Sequence, residues 1–166
     1  NKSTSYINDE IIQLKTGDGW TRQAYFSFDL SKIKDTDERI VFRSYFNAVN
    51  IAGEQVLQLE GNTATYDNKL NWNNKDNIPF TIIGTNEMSN SEVESYICWD
   101  VTDFVKEQKE AEATVVTLRM SVVEGGGPLC SFPSTESAEL KYYPSLLIVR
   151  EKEPTGMNAE EGNDFN

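Results

Sequence analysis

Arg22-Gln23-Ala24-Tyr25-Phe26-Ser27-Phe28-Asp29-Leu30 is the stretch that decides the fold. Its apolar residues recur at every second position, as on a β-strand with one face buried. Ala24, Phe26, Phe28 and Leu30 fall on the inner face, and Gln23, Tyr25, Ser27 and Asp29 on the outer. The segment Ile40 to Val49 repeats the pattern. It places Ile40, Phe42, Phe46 and Ala48 inward and Arg43, Tyr45 and Asn47 outward. Leu57 and Leu59 alternate with Gln58 and Glu60. Ile97, Trp99 and Val101 alternate with Cys98 and Asp100. Val116, Leu118, Met120 and Val122 alternate with Thr117, Arg119 and Ser121. Leu146 to Val149 reads as a more uniformly apolar terminal strand.

Turn material separates these runs at Gly17-Asp18-Gly19, Asn50 to Gly53, the Asn-rich Asn71 to Pro79 and Gly125-Gly126-Gly127-Pro128. One helix is expected over Thr102 to Ala113, capped by Thr102 or Asp103, with Phe104, Val105 and Gln108 toward the sheet. Many short strands with one stray helix specify an all-β sandwich or barrel.

The 166 residues fit a single domain, with 38% hydrophobic and 11% aromatic residues. Residues 1–152 are expected to form it, and the polar, acidic segment 153–166 to be a linker or tail. No apolar run approaches the ~20 residues of a membrane span. A net charge of −12 argues against nucleic acid as a partner. The absence of histidine excludes a Ser–His–Asp triad and makes zinc a poor fit. Gly125-Gly126-Gly127 lacks the lysine and helix of a phosphate loop. Cys98 and Cys130 fall on opposite faces of their strands, which favours two free thiols over a disulfide.

Four segments together resemble the DNRLRE-type domain, carbohydrate-binding module family 96. They are Arg22 to Ser31; Leu70-Asn71-Trp72-Asn73-Asn74-Lys75; Trp99-Asp100-Val101-Thr102-Asp103-Phe104-Val105; and Phe132-Pro133-Ser134-Thr135-Glu136 followed by Tyr143-Pro144-Ser145-Leu146-Leu147-Ile148-Val149. Their order and spacing hold from about Trp20 to Arg150. Thr135 replaces a usually basic residue, and Asp76 stands where the family often has proline. The resemblance implies a jelly-roll sandwich of two antiparallel sheets. It also implies a bacterial accessory module, secreted, periplasmic or at the cell surface, covalently linked to domains such as polysaccharide lyases or glycoside hydrolases. Alginate-like acidic glycans are the family's known theme.

The motif residues themselves have structural readings: Asp29 with Ser31, and Asp100 with Thr102, suit Asx turns, and Trp72 would pin its loop. Binding candidates lie among outward side chains, because tyrosine rings stack on sugars and arginine forks grip acids. Tyr25, Arg43, Tyr45, Asn47 and Arg119 would form one basic, aromatic surface if their strands share a sheet. Otherwise the arginines simply pair with Asp29, Asp100 or nearby Glu. Trp20 is either an exposed stacking platform or a core plug, and Tyr66 poses the same question. Asp35, Asp37 and Glu38 offer oxygens for a structural Ca2+. The expected function is non-catalytic binding of an acidic polysaccharide, alginate- or glycosaminoglycan-like, by a monomeric domain. The alternatives are a spacer or adhesion module, and a lyase using Tyr25, Tyr45 and Arg43.

Overall fold

The computed structural model describes residues 9–17, 21–36, 39–50, 52–64, 69–77, 79–125 and 128–150. Among the described residues ten strands form three antiparallel sheets. The largest runs β2 (Gln23–Asp29), β8 (Val115–Glu124), β5 (Gln55–Asn62), β6 (Thr81–Met88). The second runs β10 (Ser145–Val149), β3 (Arg39–Phe46), β7 (Ser95–Asp100). The third is small: β1 (Ile11–Leu14), β9 (Cys130–Pro133), β4 (Ala48–Val49). The expected all-β sandwich with one short helix is therefore present, with three sheets in place of two.

The extra sheet arises at one residue. The chain leaves β3 at Phe46 and enters β4 at Ala48, and the intervening Asn47 N–H donates to Ser131 O of β9 at 2.8 Å. This change of partner shifts the side-chain phase. Ile40, Phe42, Ser44 and Phe46 are all buried, but Ala48 is exposed and Val49 packs on the core instead. The expectation that Ala48 faces inward fails here, because the period-two pattern holds only within one unbroken ladder.

The core forms where the two larger sheets face each other. Phe42 of β3 meets Phe26 and Phe28 of β2, with ring centroids at 5.1 and 5.9 Å, and also Trp99 of β7 at 5.9 Å. Tilted and edge-on contacts of this kind add about 0.5–1.5 kcal/mol per pair beyond area burial. Phe46 stacks on Phe132 at 5.3 Å, tying the small sheet to the second. Leu57, Leu59, Leu118 and Met120 complete the interior with essentially no exposure. Gly61 on β5 lets the Phe104 ring approach so closely that a Cβ would collide with it. Gly125 turns at φ 77°, with Glu54 O where a Cβ would stand.

The helix α1 spans Thr102–Glu110 and buries Phe104 and Val105. No side chain caps its N-terminus, and Val101 occupies the cap position. The Thr102 N–H and hydroxyl both donate to Asp100 Oδ1, at 3.0 and 2.6 Å. The helix ends before Ala113 because Glu112 turns left-handed, at φ 64°, and its N–H returns to Lys109 O. The Asx turn at Asp29 is also present, with Ser31 N–H donating at 2.7 Å. Cys98 is exposed and Cys130 buried, and both are free thiols. Among the described residues no helix is long and apolar enough to cross a membrane.

Candidate functional site

The ladder assigns the candidate residues to two different sheets. Tyr25 and Arg119 are direct cross-strand partners on β2 and β8. Arg43 and Tyr45 lie on β3, opposite Cys98 and Tyr96 of β7. The single surface expected from all of them is therefore not formed. Asn47 is exposed at the junction of β3 and β4. Trp20, Tyr66, Asp37 and Glu38 lie outside the described residues, as does the segment 153–166. Asp35 is 95% exposed and contacts Lys109 at 3.7 Å. Among the described residues no three acidic or thiol groups gather as a metal site.

On the β2–β8 face, Arg119 is already engaged. Its side chain is 12% exposed, and it donates to Glu60 from Nη2 at 2.7 Å and Nε at 3.3 Å. Nη1 reaches Asp76 at 3.3 Å, and the guanidinium covers the Phe80 ring at 4.2 Å. Burial opposes its charge, but bonds to Glu60 and Tyr25 outweigh this and hold its pKa above the usual arginine value. Lys75 binds Asp76 at 2.7 Å and lies over Trp72 at 4.4 Å. Two cations thus meet two carboxylates, and the face is closed by the loop 71–77. That loop also bonds itself: Asn71 N–H donates to Asn74 Oδ1, and Asn73 N–H to Asn71 Oδ1. The pairing alternative holds for Arg119, with Glu60 as partner; Asp100 pairs instead with Arg39, at 3.3 Å.

The outer face of the β10–β3–β7 sheet is different. Arg43 lies over the ring of Tyr96, its guanidinium carbon 4.1 Å from the centroid. Nε is buried with no hydrogen-bond partner. Among the described residues Arg43 makes no ion pair. Tyr96 meets Tyr45 edge-on at 5.2 Å, and Tyr45 packs on Tyr142 at 4.2 Å. Tyr142 belongs to a 3-10 turn at Leu140–Tyr142, which the Tyr96 hydroxyl fixes by donating to Lys141 O. Lys141 Nζ stands over the Tyr142 ring at 4.8 Å. Three tyrosines in a row are thus bracketed by two cations.

All three tyrosines are half-buried. Burial and the neighbouring Tyr142 push the Tyr45 phenol above its ordinary pKa of 10.0. Glu94 and Glu139 lie at the margins, Glu139 contacting Lys141 at 3.6 Å. Both partners of that contact are mostly exposed, and such pairs contribute about 0–1 kcal/mol.

The family model for carbohydrate-binding module family 96 matches residues 1–150. The chain belongs to that family. Its membership makes the domain a carbohydrate-binding module, a class of non-catalytic binding domains. No curated protein sequence matches the module. Tyr96, Lys141 and Tyr142 were absent from the sequence-derived candidates. Tyr96 was legible in principle, since it shares the outward phase of Cys98 and Asp100. Lys141 and Tyr142 come from a turn with no periodicity to read.

Proposed function

We propose that this module binds an acidic polysaccharide, alginate- or glycosaminoglycan-like, on the outer face of the β10–β3–β7 sheet. The observation that carries this reading is Arg43 lying over the Tyr96 ring with no carboxylate partner among the described residues. An arginine in that state keeps its fork available for an acid group. Tyr45, Tyr96 and Tyr142 supply ring surface for sugar faces, and Lys141 a second charge. The acidity of the chain as a whole would repel such a polymer elsewhere and favour binding at this one basic face.

The module is read as part of a larger secreted, periplasmic or surface protein, within which it holds a lyase or hydrolase near its substrate. Residues 1–152 would be the folded unit and 153–166 a linker. The lyase alternative draws on Tyr25, Tyr45 and Arg43 together, and Tyr25 lies on a different sheet from the other two.

Affinity electrophoresis tests the proposal. The purified chain is run through gels containing alginate, chondroitin sulfate, heparin, pectin or a neutral glucan, with an assay for new unsaturated ends. Retardation by acidic gels alone, without cleavage, supports it. Cleavage would make the chain a lyase, and migration unaffected by any glycan would make it a spacer.

A further inference from the structure

β6 and β7 are outermost strands of different sheets: β6 pairs with β5 and β7 with β3. They are consecutive strands in the chain, joined through a 3-10 turn at Asn90–Glu92. They touch where Asn86 Nδ2 donates to Cys98 O at 2.7 Å. An open cleft of about 540 Å³ is lined from both the Thr81 end of β6 and the Asp100 end of β7. Thr81, Ile82 and Ile83 all line it. Neighbours along a regular strand point to opposite faces, and a bulge breaks that alternation here. Ile83 is the extra residue of a β-bulge, between the pairs Glu60–Ile82 and Leu59–Gly84. Bulges of this kind often sit beside functional sites.

The far wall is α1. Asp103 and Glu107, one helical turn apart, both line the cleft, and neither has a cation partner among the described residues. Among the described residues Arg39 is the one cation that lines the cleft, and it pairs with Asp100. Ile82 is 63% exposed, and Phe104 adds apolar surface.

We infer that this cleft docks an extended peptide segment in which basic residues alternate with small apolar ones. Such a segment would add a strand to the free edge of β6. Its apolar side chains would cover Ile82, and its lysines or arginines would face Asp103 and Glu107. The unpaired carboxylates disfavour an acidic glycan here, so this site is separate from the tyrosine face.

The test is a fluorescence-anisotropy titration of the full chain with an end-capped octapeptide alternating lysine with valine and threonine. At about 150 mM salt, where exposed charges are largely screened beyond a Debye length, saturable binding is expected. Ile82→Lys, and separately Asp103→Lys with Glu107→Lys, should weaken it about tenfold or more. All three positions are surface-accessible, and retardation by an acidic polysaccharide should be retained in these variants. Two controls isolate the cleft: a peptide of the same composition with its lysines in one block, and Glu110→Lys with Glu124→Lys, which changes charge equally elsewhere. No binding to the wild-type chain overturns the inference. So does equal binding of the block peptide, or equal weakening by the control variant, since either reduces the effect to general attraction by an acidic protein.

Discussion

Arg43 and Tyr96 are diagonal neighbours on adjacent strands, and the guanidinium of one lies 4.1 Å above the ring of the other. This contact holds the arginine fork in place before any ligand arrives. Less side-chain entropy is then lost on binding, which favours affinity. Nε of the same arginine is buried without a hydrogen-bond partner.

Arg43→Ala should therefore abolish most of the retardation by an acidic polysaccharide while leaving the fold intact. A hydrogen bond to a charged group contributes about 1.5–3 kcal/mol, so affinity should fall about tenfold or more. Tyr96→Ala should weaken binding as well, by releasing the arginine. Arg43→Lys should recover only part of the loss, because lysine keeps the charge without the planar fork. Circular dichroism checks the fold. Wild-type retardation in Arg43→Ala would place the glycan elsewhere.

Arg119 should behave in the opposite way. Its partner Glu60 is only 10% exposed, so Arg119→Ala strands a nearly buried carboxylate. The expected loss is about 3 kcal/mol, the low end for a broken buried pair, read from the urea midpoint. Replacing both residues, as Arg119→Met with Glu60→Leu, should recover much of that stability. Glycan binding per folded molecule should not change in either variant.

Asp76 links the loop 71–77 to the β2–β8 face, and its pKa lies below the usual 3.8, chiefly through its bond to Lys75 and then the charges of Lys75 and Arg119. A lowered carboxylate pKa in the folded state favours folding when the group is ionised. That contribution is complete above the unfolded value and is lost as pH falls through the folded one. Asp76→Asn should therefore flatten the fall in urea midpoint below about pH 4, where an unfolded aspartate takes up its proton, and should change little in the shape of the profile above it. An unchanged acid limb would show that the loop contact adds nothing to stability.

The two thiols should differ sharply in reactivity. Cys98 is exposed on the outer face of β7, whereas Cys130 is fully buried, and burial pushes its pKa up to about 11. An aromatic disulfide reagent should titrate Cys98 rapidly and Cys130 only on unfolding. Cys98 lies opposite Arg43 in the ladder. A bulky adduct there should also reduce glycan retardation, and protection of Cys98 by bound polysaccharide would map the same face.

Gly61→Ala should cost about 1–3 kcal/mol, as an overpacked core does, since the new methyl group meets the Phe104 ring. Gly53→Ala has room for its methyl group and serves as the control, with both stabilities taken from chemical denaturation.

The amino-acid sequence by itself determined which apolar side chains face the interior within an unbroken ladder, though not Ala48 beyond the β3–β4 junction. Phe26, Phe42, Leu59, Trp99 and Leu118 follow from a local period of two, and burial is its direct consequence. It also determined the Asx turns at Asp29 and Asp100, because these depend on residues two positions apart. Only the tertiary structure decided which outward side chains meet. Tyr25 and Arg43 read alike in phase, yet one strand joins β8 and the other joins β7 and β10. Strand pairing is settled by contacts tens of residues apart, and no local period encodes it. The pairing gives Arg119 to Glu60 and leaves Arg43 on Tyr96. Tyr142 and Lys141 reach that face from a turn fixed by the Tyr96 hydroxyl, so the proposed site exists only once distant segments have docked.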